Sequence, residues 1–190
     1  MDFGKKYSYF TIQIFLLVRP DTYLRDCPDE VAENDAEKNV KMEAGNIEKT
    51  VNGLCNFGGI FQLGQLSQVK ILSLPVSLII NAYGHWLAIY IDEHSVEIMD
   101  STGYLGTGGL HQTLRRFLSG HIYNKNFKIT PRLQADDSNV CGLYAVSFLY
   151  YRTTTNQTLC EFCKLFTDDV NKNCKTIKKI YKIIQNIERK

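Results

Sequence analysis

Residues 85–100, "HWLAIYIDEHSVEIMD", decide the fold. Two runs rich in aromatic and β-branched residues, 85–92 and 95–100, are separated only by Glu93 and His94. Runs of this composition at this spacing predict two antiparallel strands joined by a tight turn. The middle of the chain therefore forms a β-hairpin, around which the remaining segments are arranged.

The hairpin brings His85, at the start of its first strand, near Asp100, at the end of its second. If the two intervening residues form the turn, His85 faces Thr102 and Asp100 is its diagonal neighbour. If the turn begins one residue earlier, His85 and Asp100 are directly opposite. Side chains alternate with period two, so both registers put His85 and Asp100 on one face, and Asp92 and Glu97 on the other. A histidine oriented by a carboxylate is a candidate general base, whereas an unpartnered His85 would be an ordinary core or edge histidine.

The flanking segments predict a mixed architecture. Residues 72–84 and 127–133 read as strands, and the glycines of 58–66 indicate turns. Helices are predicted over 110–120, 141–152, 158–166 and from Asp168 to about Glu188, with Thr167 as the N-cap of the last. Helices and strands are segregated along the chain, which favours an α+β fold.

Composition and length indicate one folded domain over residues 1–190, with 44% hydrophobic residues and a net charge of +2. We expect a catalytic core at 51–190 and an N-terminal extension of unassigned role at 1–50. Its 26–48 segment has eight acidic residues and two lysines, and 26–50 reads as a loop or a mobile helical insert. The apolar run at 7–18 is too short to span a membrane and reads as a buried strand or helix, not a signal peptide.

A second stretch, "LQADDSNVCGLYAV" at 133–146, places Cys141 at the start of an apolar helix. The positive end of the helix dipole favours thiolate over thiol, so we expect the pKa of Cys141 to be lowered. The polar residues before it are good helix caps, and Gly142 leaves the space beside the sulfur open to a substrate. Cys141 is therefore a candidate nucleophile, with a structural buried cysteine as the alternative.

Gln134 lies seven residues before Cys141. Its amide can donate to the oxyanion that nucleophilic attack creates, with the backbone N–H of Cys141 as a second donor. Alone, it would be an ordinary solvent-facing glutamine. A loop glutamine beside a cleft buries little apolar area, so we expect its replacement to leave stability intact.

Taken in order, "GHW", "MDSTG" and "LQADDSNVCGLY" resemble the adenovirus protease (adenain) family and the wider group containing the SUMO-specific proteases. "LFTDDVNKNCKTIKKIYKII" resembles the C-terminal helix of proteases from Maverick/Polinton elements and virophages. The resemblance implies a papain-like cysteine protease fold of the adenain and SUMO-protease type, with a central mixed sheet packed against helices and a buried nucleophile helix. It implies catalytic roles for His85, Asp100, Gln134 and Cys141. Trp86 and Gly142 would line a narrow substrate channel.

The implied activity is a cysteine endopeptidase that cleaves viral capsid or virion precursor proteins at glycine-containing sites during particle maturation. It would act in the host cytoplasm or nucleus at sites of virus assembly, or inside the virion, with no cofactor. We expect no metal site, because the Cys160–Cys163 pair and Cys174 lack a fourth ligand. The cysteines are expected as free thiols in a reducing compartment, because the chain is long and their spacing is irregular.

Three alternatives share parts of this pattern. An isopeptidase that removes ubiquitin-like modifiers would use the same catalytic set, and an acyltransferase on a similar scaffold would modify itself with acetyl-CoA. A non-enzymatic nucleic-acid-binding assembly protein would instead use the basic C-terminal helix. Its weak DNA contacts would come from Lys175, Lys178, Lys179 and Lys182.

Overall fold

The computed structural model describes residues 42–107 and 111–189, so the apolar run at 7–18 and most of the acidic segment lie outside the described residues. The described residues form a five-stranded sheet in the order β1-β2-β3-β4-β5. The β1–β2 and β4–β5 pairs are parallel, and the two pairs between them are antiparallel. The strands are β1 Phe57–Gln62, β2 Val76–Ala82, β3 His85–Ile91, β4 Ser95–Met99 and β5 Asn126–Ile129.

Helices cover both faces of this sheet. One face packs against α1, α4 and α6, and the other packs against α3 and a 3-10 helix, Leu63–Gln68. The helices are α1 Ala44–Val51, α2 Tyr104–Thr107, α3 Gln112–Ser119, α4 Cys141–Thr155, α5 Leu159–Cys163 and α6 Val170–Glu188. This architecture confirms the predicted α+β fold, with a central mixed sheet packed against helices and a buried helix that begins at Cys141. Within the described ranges, no helix is both long and apolar enough to cross a bilayer.

The β3–β4 hairpin adopts the first of the two predicted registers. Ala88 pairs with Met99 and Ile91 with Val96, which leaves Glu93 and His94 as the turn. Asp92 closes this turn, because its carboxylate accepts hydrogen bonds from the backbone N–H groups of His94 and Ser95 at 2.8 and 2.6 Å. The period-two alternation of β3 then directs alternate side chains into the two layers. Leu87, Ile89 and Ile91 enter the α3 layer, whereas Trp86, Ala88 and Tyr90 enter the α4 layer.

A buried ion-pair network attaches the C-terminal half of α4 to the hairpin. Arg152 donates from Nε to Glu97 at 2.9 Å and from Nη2 to Asp92 at 2.8 Å. Its guanidinium also lies 4.1 Å from the centre of the Tyr90 ring. The second Glu97 oxygen accepts from the backbone N–H of Leu159 at 3.2 Å, so both oxygens of this fully buried carboxylate are satisfied.

Three local predictions are wrong. Part of the glycine-containing 58–66 segment is strand β1, and the irregularity there is a register shift at Gly59, whose φ is +128°. The 127–133 strand ends at Ile129. Helix α6 begins at Val170, because Asp169 is the N-cap, where its side chain accepts from the backbone N–H groups of Asn171 and Lys172.

The part of the 26–50 segment that the structure describes is not a loop. Residues Ala44–Val51 form α1, and the side chains of Ile47 and Val51 are fully buried against the α4 layer. Of the two readings of this segment, a loop or a mobile helical insert, Ala44–Val51 is helical, but this helix is packed into the core by a few apolar residues whose partners are distant in sequence. Part of the predicted N-terminal extension therefore packs into the same core as the nucleophile helix.

Ile47→Ala should lower the free energy of unfolding by about 2–5 kcal/mol, as expected for truncating a fully buried aliphatic side chain. Lys49→Ala, on the exposed face of the same helix, should change it by no more than about 0.5 kcal/mol. Urea denaturation of the full chain measures both values. Equal unfolding midpoints for the two variants would show that α1 is not part of the core.

Candidate active site

His85 and Asp100 form a hydrogen bond at one end of the hairpin. His85 is the first residue of β3, and its Nε2 lies 2.8 Å from Oδ1 of Asp100, which directly follows β4. The Asp100 side chain is fully buried, whereas the His85 side chain is 26% exposed. The buried carboxylate can therefore orient the imidazole, and the exposed part of the imidazole remains accessible from the surface.

Four donors hold the Asp100 carboxylate. Besides His85, Oδ1 accepts from the hydroxyl of Thr102 at 2.6 Å and from its backbone N–H at 3.2 Å, and Oδ2 accepts from the N–H of Leu105 at 2.7 Å. The backbone of Asp100 is held by the Thr130 hydroxyl, which accepts from its N–H and donates to its carbonyl. Burial opposes ionisation of Asp100, but the hydrogen bonds from His85, Leu105 and Thr102 outweigh it and lower the pKa of the carboxyl.

Cys141 begins α4, as the sequence predicts, and its sulfur contacts His85. The thiol forms a hydrogen bond with the imidazole, and it also accepts from the backbone N–H groups of Trp86 and Gly142. Since Nε2 of His85 faces Asp100, Nδ1 is the nitrogen that can face the sulfur. Cys141, His85 and Asp100 thus form one hydrogen-bonded series.

The titration of Cys141 and His85 favours an ion pair. Burial disfavours the thiolate, but the hydrogen bonds from His85 and Trp86 and the His85 charge outweigh burial and lower the pKa of Cys141. Burial likewise disfavours the imidazolium, but the hydrogen bonds to Asp100 and Cys141 raise the pKa of His85 to about 9. Each charge stabilises the other, which favours the pair of thiolate and imidazolium over the pair of thiol and neutral imidazole.

Gln134 is 4% exposed, and both ends of its amide are hydrogen-bonded within the protein. Its Oε1 accepts from the Ser101 hydroxyl at 2.6 Å, and its Nε2 donates to the Ser138 carbonyl at 2.7 Å. The expectation that this side chain buries little is therefore wrong, and removing the amide would leave the buried Ser101 hydroxyl and the part-buried Ser138 carbonyl without this partner. Gln134 is linked to the triad through Ser101, which directly follows Asp100.

The space beside Gly142 is filled, not open as expected from the sequence. A Cβ added to Gly142 would lie 2.7 Å from Cβ of Met42. The position of Met42 therefore leaves room only for glycine at residue 142. The indole N–H of Trp86, which is 5% exposed, donates to the Met42 carbonyl at 3.0 Å. Met42, Trp86 and Gly142 therefore form one packed wall next to the sulfur of Cys141.

The other described cysteines do not share this environment. Burial, with the nearby Cys160, raises the pKa of Cys163 to about 12, and Cys55 and Cys160 are exposed. No disulfide joins any of the described cysteines. Among residues 42–107 and 111–189, no group of three or more His, Cys, Asp or Glu side chains could hold a metal ion.

Sequence reasoning missed the residues that support the catalytic candidates. Ser101, Thr102 and Thr130 each form short hydrogen bonds to Asp100 or Gln134. For Ser101 and Thr102 the sequence signal was the run "DST" at 100–102, because three consecutive polar residues directly after a buried strand can face the protein interior. Thr130 had no comparable signal, because its partner is thirty positions away along the chain.

No protein-family model and no curated protein matches this chain. Solved structures similar to it include the central domain of the uncharacterized Lpg1148 protein from Legionella pneumophila, which is 11% identical in sequence. The match covers 79% of this chain and 99% of that chain, and its TM-score is 0.50. SUMO protease Ulp1 with its catalytic cysteine oxidized to a sulfenic acid is 15% identical over 96% of this chain and 94% of that chain, with a TM-score of 0.39. A de-sumoylating protease is 13% identical over 75% and 76% of the two chains, with a TM-score of 0.37. The likeness to the Legionella domain concerns the fold alone, and at the lower TM-scores we base no function on the SUMO proteases.

Iodoacetamide at pH 6 should alkylate Cys141 before Cys163 or the exposed cysteines, because Cys141 alone among the described cysteines has a thiolate stabilised by an imidazolium. His85→Ala removes that stabilisation and leaves burial, so labelling of Cys141 should slow, by up to about tenfold for each pKa unit regained. His94→Ala, which removes an exposed histidine from the hairpin turn, is the matched control. Peptide mass spectrometry gives the rates. Faster labelling of Cys160 or Cys163, or an unchanged rate in His85→Ala, would contradict the ion pair.

Proposed function

We propose that this chain is a cysteine endopeptidase that cleaves viral capsid or virion precursor proteins at glycine-containing sites during particle maturation. One observation carries the peptidase assignment: a thiol at a helix N-terminus is hydrogen-bonded to an imidazole that a buried carboxylate orients. This arrangement provides an activated nucleophile, a general acid and an orienting group.

The chemistry follows from the protonation states. The Cys141 thiolate attacks the carbonyl carbon of the scissile peptide, and the C=O electron pair moves to oxygen. When the intermediate collapses, the His85 imidazolium gives its proton to the leaving amine, and an acyl-enzyme thioester remains. The neutral imidazole then takes a proton from water, which attacks the thioester and releases the acid and the thiolate. Asp100 keeps the imidazole in one orientation throughout, and the Gln134 amide and the first N–H groups of α4 are the donors for the oxyanion.

The preference for glycine is proposed from the wall formed by Met42, Trp86 and Gly142. This wall leaves no open space beside Gly142, so we propose that a substrate residue without a side chain fits best next to the sulfur. Two cavities of about 420 and 530 Å³ are lined by residues of β1, and neither contains a residue of the triad. The viral substrates and the location at sites of virus assembly are proposed from the sequence resemblance alone.

Two other functions would use features of the same chain. An isopeptidase acting on ubiquitin-like modifiers requires the same triad and also cleaves after glycine. A DNA-binding role would use the exposed lysines of α6, which lie opposite its buried isoleucines. We propose that any contact of these lysines with DNA is an accessory to proteolysis.

Co-expression with the neighbouring capsid genes, followed by mass spectrometry of new termini, should show cleavage after glycine that Cys141→Ala abolishes. On a peptide carrying the mapped site, the rate should rise with pH as the thiolate forms and fall above about 9, where the imidazolium loses its proton.

Hydrolysis of SUMO- or ubiquitin-coumarin without cleavage of capsid precursors would favour the isopeptidase. Self-acetylation by acetyl-CoA would favour an acyltransferase, and salt-dependent DNA binding without proteolysis would favour an assembly protein.

Gln134→Ala should lower kcat by about 10²–10³ with little change in KM, because its amide acts on charge that exists only in the transition state. Gln134→Glu should be slower still, since a carboxylate repels both thiolate and oxyanion. The Ala variant should also lose about 1–3 kcal/mol of stability, because the buried Ser101 hydroxyl and the part-buried Ser138 carbonyl lose a hydrogen bond. Steady-state kinetics well below the melting temperature separate the two effects, with exposed Asp137→Ala as the control in the same loop. A folded Gln134→Ala variant with the wild-type kcat would remove Gln134 from the mechanism.

A further inference from the structure

The turn after β4 contacts Gln134, the proposed oxyanion donor, through Ser101, and it contacts His85 through Asp100. Ser101 contacts Gln134 twice: its hydroxyl donates to Oε1 at 2.6 Å, and its carbonyl accepts from the Gln134 backbone N–H at 2.9 Å. The same carbonyl accepts from the N–H of Leu133 at 2.8 Å. Ser101 is 1% exposed, so water does not compete for these bonds.

The two partners of the Gln134 side chain determine which way its amide faces. The Ser138 carbonyl can only accept, so the nitrogen must lie on that side. The oxygen then faces Ser101, whose hydroxyl must donate. A primary amide has two N–H groups and Ser138 uses one, which leaves the second for a substrate oxygen. Donation from Ser101 to Oε1 also polarises the amide and strengthens this remaining donor.

The backbone around Ser101 is held closely against the Gln134 segment. Gly103 adopts φ +69°, and a Cβ there would lie 2.7 Å from the backbone nitrogen of Arg132. From the other side, the Tyr144 hydroxyl of α4 donates to the Leu133 carbonyl at 3.0 Å. Ser101 therefore has little freedom to move away from Gln134, and its hydroxyl is placed by the fold.

We propose that Ser101 is a positioning residue for oxyanion stabilisation, which holds the Gln134 amide with one N–H directed to the substrate. This inference rests on the proposed peptidase function. The tripeptide Asp100–Ser101–Thr102 then aligns both halves of the site, since Asp100 orients His85 and Ser101 orients Gln134. Ser101 itself does not touch the substrate, and its effect passes through Gln134.

A double-mutant cycle on the full chain tests this. Ser101→Ala should lower kcat about tenfold and leave KM unchanged, because the amide remains present but is no longer held. In the Gln134→Ala background the same substitution should have no further effect on kcat. Ser101→Thr, which keeps the hydroxyl, should restore most of the activity. A tenfold loss that persists in the Gln134→Ala background, or a loss seen mainly in KM, would overturn the proposal.

Ser77→Ala is the matched control. Ser77 is a fully buried serine in β2 whose hydroxyl has no hydrogen-bond partner among the described residues, so its removal should leave kcat unchanged. If Ser101→Ala does not fold, Ser101→Cys provides a weaker donor of similar size, and its kcat should lie below wild type by a factor that Gln134→Ala abolishes. A Ser101→Cys kcat equal to that of wild type would overturn the proposal.

A measurement without substrate keeps this inference separate from the proposed function. The side-chain NH₂ resonances of Gln134, assigned in the ¹⁵N-labelled full chain, should exchange slowly with solvent and exchange faster in Ser101→Ala. Unchanged exchange would overturn the role of Ser101 even if Cys141→Ala abolishes peptidase activity. Wild-type turnover by Cys141→Ala would instead overturn the peptidase assignment.

Discussion

Arg152 forms ion pairs with the carboxylates of Asp92 and Glu97. These two ion pairs fix the position of α4 on the β3–β4 hairpin. From Cys141 to Arg152, α4 is about 16 Å long, and β3 beneath it is about 20 Å long. The helix therefore reaches from one end of the strand to the other, with Arg152 held at the turn and Cys141 at His85. A shift of α4 by one residue would move the sulfur about 1.5 Å along the axis and turn its side chain by about 100°. The buried ion pair at one end thus sets the nucleophile–base contact at the other, and breaking it would leave an unpaired buried charge.

The second constraint is the turn that follows β4. Asp100 and Ser101 are buried there, where Thr130 and Gln134 supply their hydrogen-bond partners, and Thr102 donates to the Asp100 carboxylate. As a result, the base and the glutamine amide are aligned by one short piece of backbone. Distortions of this turn would displace both together, which preserves their relative geometry better than two independent supports would.

Local sequence patterns were sufficient for the hairpin, for the shared position of His85 and Asp100, and for the start of α4 at Cys141. These features depend on period-two alternation, on turn length and on helix polarity, which act over a few residues. The features that could not be foreseen depend on contacts distant along the chain. Met42 fills the space beside Gly142, α1 belongs to the core, and Gln134 is buried by Ser101 and Ser138. Composition does not show such contacts, so the acidic segment allowed a helix but did not indicate that its apolar face is buried in the core.

The N-terminus of α4 departs from the expected capping, and the departure has a chemical reason. The polar residues before Cys141 are good caps, yet Val140 occupies the N-cap and provides no side-chain hydrogen bond. A capping side chain accepts from the second or third N–H of a helix. In this structure the second N–H, that of Gly142, donates to the Cys141 sulfur. A serine or aspartate at position 140 would compete for that donor, and an aspartate would add a negative charge beside the thiolate. The weaker cap therefore leaves the helix dipole and its first N–H groups to the Cys141 thiolate and, in the mechanism that we propose, to the developing oxyanion.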